Sequence, residues 1–98
     1  MIKAINLRTE YMENPIGIDV KKPRLMWNVE GSVKQSSYRV ICKAGDKIKW
    51  DSGKVISDSM HADCIFELKS RERIEWSVSL WDEEDKEGEP SYALFEMG

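Results

Sequence analysis

Ile74-Glu75-Trp76-Ser77-Val78-Ser79-Leu80 carries a large apolar residue at every second position and a polar one between. Side chains alternate across a pleated backbone. The run therefore buries Ile74, Trp76, Val78 and Leu80 on one face and wets Glu75, Ser77 and Ser79 on the other. The same period recurs upstream. Leu25, Trp27 and Val29 alternate with Met26, Asn28 and Glu30, and Tyr38, Val40 and Cys42 alternate with Arg39, Ile41 and Lys43. No window of about eleven residues shows a helical stripe. The β-branched and aromatic content of these runs agrees with strands.

Turn chemistry separates the runs. Gly31-Ser32 ends one, and Ala44-Gly45-Asp46-Lys47 closes a hairpin that returns through Ile48-Lys49-Trp50. In Asp51-Ser52-Gly53 the Asp side chain can bond backbone N–H groups and Gly can take positive φ. The acidic run Asp82-Glu83-Glu84-Asp85-Lys86-Glu87-Gly88-Glu89-Pro90 is expected to be a solvated hairpin loop. A calcium loop needs oxygen ligands at alternating positions around a sharp turn, which this run lacks. Seven strands are expected, near 3–8, 24–30, 37–43, 47–51, 60–66, 73–82 and 92–97. Seven short strands in one domain spanning 1–98 predict an all-β, antiparallel β-sandwich of immunoglobulin-like or fibronectin type III-like kind.

Composition excludes several function classes. A net charge of -3 offers no basic footprint for nucleic acid or an anionic membrane surface. No apolar run approaches the roughly 20 residues of a membrane span. Lys3 and Arg8 interrupt the N-terminal stretch, which lacks a signal-peptide core and places the chain in the cytoplasm as an expectation. Cys42 and Cys64 each sit in an apolar alternation and are expected as free, buried thiols.

Two families share these patterns. Leu25-Met26-Trp27, Tyr38-Arg39-Val40, and Leu68 followed six residues later by Ile74 resemble the core pattern of fibronectin type III domains. Ile74 stands where that family has its corner tyrosine. A fuller resemblance is to the N-terminal β-sandwich of bacterial α-L-rhamnosidases. It rests on Asn14-Pro15-Ile16-Gly17-Ile18-Asp19, Pro23-Arg24-Leu25-Met26-Trp27, Gln35-Ser36-Ser37-Tyr38-Arg39-Val40 and Trp50-Asp51-Ser52-Gly53-Lys54-Val55. It continues through Leu68-Lys69-Ser70-Arg71, Trp76-Ser77-Val78 and Phe95-Glu96-Met97-Gly98. The resemblance implies a fragment of a larger glycoside hydrolase, with Met1 near the start of that protein. Further β-domains would follow, then a helical barrel whose paired carboxylates remove terminal α-L-rhamnose with inversion. None of that machinery maps onto these residues.

The expected role is accordingly a non-catalytic accessory domain partnered by other domains of the parent hydrolase. The alternatives are a carbohydrate-binding module for rhamnose-containing glycans and a free-standing fibronectin type III-like partner-binding domain. Trp27 and Trp76 are expected in the core. Trp81 falls on the wet face by parity, and Trp50 ends an expected edge strand, so these two are the candidate domain-docking or sugar-contact residues, with partial burial under a loop as the other reading of Trp81. His61, the sole histidine, has no neighbours at metal spacing, and no strained nucleophile turn surrounds Ser59 or Cys64. No catalytic residue, metal or cofactor is expected.

Overall fold

The alternating runs become strands with the predicted faces. The computed structural model describes residues 1–13, 16–18, 23–31, 34–64, 66 and 68–98. Among them the strands are β1 (Lys3–Thr9), β2 (Ile16–Ile18), β3 (Arg24–Glu30), β4 (Gln35–Ala44), β5 (Lys47–Asp51), β6 (Val55–Ile56), β7 (His61–Asp63), β8 (Arg73–Asp82) and β9 (Ser91–Met97). Asn14, Pro15, Asp19 and Ser32 of the quoted segments lie outside the described residues, as does Ile65 of the strand expected near 60–66.

The strands form two sheets. One is ordered β1-β3-β7, and the other β2-β9-β8-β4-β5 with β6 also on β4. The seven expected strands are all present, and β2 and β6 are short additions. β2 pairs β9 in parallel, while every other pairing between strands is antiparallel. The two and three residues of β6 and β2 show no alternation that would mark a strand in the sequence.

The core lies between the sheets. Leu25 and Trp27 point into it from β3, Val40 and Cys42 from β4, Ile74, Trp76, Val78 and Leu80 from β8, and Phe95 from β9; each is at most 1% exposed. Trp27 and Tyr38 meet edge to face across the interior, centroids 5.2 Å apart, an arrangement the ring quadrupoles favour. Ile74, in place of a corner tyrosine, is an ordinary core residue at 0% exposure.

The N-terminus is fastened by close backbone approach. Gly88 is buried, and its N–H donates to Leu80 O at 2.8 Å. A Cβ on Gly88 would overlap the Ile2 carbonyl. Only glycine lets the loop after β8 lie this close to the chain entering β1.

Candidate functional site

The segment Trp50–Val55 shows what its residue types are for. Two strands share one edge of β4: β5 covers Ile41 to Ala44, and β6 covers Ser37 and Tyr38. Between them the chain must leave the ladder and return. Ser52 N–H donates to Val40 O at 2.9 Å, and Ser52 Oγ accepts from Val40 N–H at 2.8 Å. The serine hydroxyl thus stands in for a missing backbone acceptor. Asp51 Oδ1 accepts from Gly53 N–H at 2.9 Å and from Arg39 Nε at 2.9 Å. Gly53 takes φ +66°. The Arg39 guanidinium, chiefly, and the Gly53 N–H hold the Asp51 carboxyl down to about 2. The motif is a joint between two edge strands.

Other segments that carry the family resemblance are joints as well. The buried Gln35 takes the Trp27 indole N–H on Oε1 at 3.0 Å and donates Nε2 to Ser57 O at 2.9 Å and Ser59 O at 2.8 Å. It ties both sheets to the loop between β6 and β7. Ser70 Oγ and Arg71 N–H both donate to Gly98 O, at 2.9 and 3.2 Å. The segments at 68–71 and 95–98 are therefore one contact.

The candidate tryptophans lie apart. Trp50 pairs with the inward-facing Cys42, and its half-buried ring packs on Phe66 at 6.3 Å. Trp81 pairs with Ser37, on the outer face that parity indicates. Its half-buried ring lies beneath Lys54 Nζ, 4.9 Å from the centroid. That ammonium also contacts Asp85 at 2.6 Å. The acidic loop therefore folds back toward Trp81. Asp82 organises it: Oδ1 accepts from Glu84 and Lys86 N–H, at 2.9 and 3.0 Å.

Sequence reasoning missed a groove on the outer face of the larger sheet. The strand registers put Ile41, Ser77 and Tyr92 in one row across β4, β8 and β9, and Lys43, Glu75 and Leu94 in the next. Together with Ser79 and Pro90 they line a depression of about 530 Å³. Tyr92 is 76% exposed. The signal was present in the last strand, where Phe95 and Met97 point inward and parity sends Tyr92 outward.

Ser59 Oγ lies 3.1 Å from His61 Nδ1, a local contact between exposed neighbours two residues apart. Among the described residues no three His, Cys, Asp or Glu side chains cluster to hold a metal ion, and no helix is long and apolar enough to cross a membrane.

The model of the Rha78A-like, N-terminal immunoglobulin domain family matches residues 4–98. An α-L-rhamnosidase from Streptomyces avermitilis is 34% identical, over 83% of this chain and 9% of its own length. Another, from Formosa agariphila, is 31% identical over 80% of this chain and 10% of its own length. The solved α-L-rhamnosidase from Dictyoglumus thermophilum superposes with a TM-score of 0.90 at 30% identity, covering 97% of this chain and 12% of that one. This chain thus spans about a tenth of the relatives it matches, and it belongs to the Rha78A-like N-terminal immunoglobulin domain family.

Proposed function

We propose that residues 1–98 form the N-terminal, non-catalytic module of a cytoplasmic α-L-rhamnosidase. That enzyme removes terminal α-L-rhamnose from glycosides with inversion, using carboxylates carried elsewhere in the polypeptide. One observation supports the non-catalytic role above the others. Inverting hydrolysis needs two carboxyl groups facing each other across a cleft, about 6.5–9.5 Å apart. The groove on this chain contains one carboxylate, Glu75, among its lining residues. The sequence segments shared with the resembling family serve as joints of the sandwich, in keeping with a bracing role toward other domains of the parent.

The 98-residue chain is expected to leave an aryl α-L-rhamnoside unhydrolysed. Deleting the module from a full-length rhamnosidase that carries it is expected to lower that enzyme's thermal stability. Turnover by the 98-residue chain, abolished by mutating one of its own acids, would overturn the reading.

A further inference from the structure

The two outer faces of the sandwich differ in kind. On the smaller sheet, Arg24 lies opposite Asp63 and Lys3 opposite Glu30, giving a charged, wet surface. On the larger sheet, the centre of the outer face is a trough. Its floor is Ser77 and Ser79, and Ile41, Leu94, Pro90 and the ring of Tyr92 line it. The small floor residues between larger neighbours make the face concave. A large exposed apolar ring beside a concavity calls for an occupant.

We propose that this trough binds a neutral pyranoside, and specifically an α-L-rhamnoside; the choice of sugar rests on the functional reading above. Three features select a sugar. First, its about 530 Å³ fits a small ligand, since such sites run from about 300 to 1,000 Å³. Second, the charged neighbours Lys43 and Glu75 pair directly across β4 and β8. Their opposite charges sum to zero, so no single sign of charge at the trough favours an ionic ligand. Third, a pyranose has an apolar face and a rim of hydroxyls. Tyr92 offers a flat ring to the face, and the serine hydroxyls each offer one donor and two acceptor lone pairs to the rim. Neither serine hydroxyl has a protein partner among the described residues. A protein surface seated here would bury those hydroxyls, a cost unless each found a partner. A polyol supplies the partners itself. The C6 methyl of rhamnose, where glucose carries a hydroxyl, suits the apolar wall of Ile41 and Leu94.

The test is an amide NMR titration of the 98-residue protein with methyl α-L-rhamnopyranoside, with methyl α-D-glucopyranoside as comparison. The expected result is saturable shifts at Ile41, Ser77, Ser79 and Tyr92, with a Kd in the millimolar range, and weaker binding of the glucoside. Tyr92 is exposed enough that Tyr92→Ala should leave the fold intact, and it should weaken binding about tenfold or more. Tyr92→Trp should retain binding. Equal binding of the two glycosides would overturn the rhamnoside assignment. Absence of saturable shifts with both would overturn the sugar site and leave the role as an N-terminal module standing.

Discussion

Two tryptophans of equal burial differ in one hydrogen bond. Trp27 and Trp76 are each 1% exposed. The Trp27 indole N–H is accepted by Gln35, whereas the Trp76 Nε1 has no partner among the described residues. Changing either to Phe removes similar volume. Trp27→Phe also strands the Gln35 Oε1, a loss of about 1–3 kcal/mol for an unsatisfied buried acceptor. Trp76→Phe removes an orphaned donor instead. Denaturant unfolding is therefore expected to find Trp27→Phe the more destabilising by roughly that amount. Equal losses would show that the Gln35 bond contributes nothing. Asp51 gives a second prediction at this scale. Its carboxyl falls from 3.8 to about 2 on folding, chiefly through Arg39. A carboxylate depressed by folding adds stability above its unfolded value and loses it as pH falls through the folded one. The pair is solvent-accessible, so the effect is about 1 kcal/mol or less. Between about pH 4 and pH 2 the parent should lose more melting temperature than Asp51→Asn. Parallel pH profiles would sink this account.

Strands were legible wherever alternation ran long enough. β3, β4 and β8 were found from period alone, because seven to ten residues of alternating burial admit one pleated reading. β2 and β6, with three and two residues, exist through their neighbours and were not legible. The parity of Trp81 was also readable, and a covering loop was one reading of it, but which residues cover it was not. Lys54 lies over its ring and is met there by Asp85 from a separate loop, and the sequence distance between residues 54 and 85 hides that meeting. The groove was hidden for the same reason, since its rows join β4, β8 and β9. Gly88 supplies a prediction about how elements are fastened. Gly88→Ala must drive the β8–β9 loop off Ile2, and Ile2 is a core residue at 1% exposure. Overpacking of a closed site costs about 1–3 kcal/mol. Gly53→Ala meets open space and bears only the cost of positive φ, about 1–2 kcal/mol. Hydrogen exchange should separate them: Gly88→Ala deprotects the amides of β1, and Gly53→Ala leaves them protected. Unchanged β1 protection in Gly88→Ala would show that the loop does not hold the N-terminus.

One hydrophobic cluster spans the two sheets, and the cysteines report on whether they open together. Cys42 belongs to β4 of the larger sheet, and Cys64 follows β7 of the smaller one. Both are free and fully buried. The Cys42 thiol is pushed up, first by its hydrogen bond with Cys64 and then by burial. A thiol reagent must also reach the sulfur, and both sulfurs are buried while the sheets stay together. Exposing Cys42 or Cys64 means opening the same layer of Trp27, Trp76 and Phe95. In a small two-state domain that opening is global unfolding. The two thiols are therefore expected to label at one shared rate, at least about a thousandfold below that of the unfolded chain. The denaturant dependence of labelling should match the equilibrium m-value. Fast labelling of Cys64 alone, with tryptophan fluorescence still native, would show that the β7 side opens by itself and that the sandwich is two units rather than one.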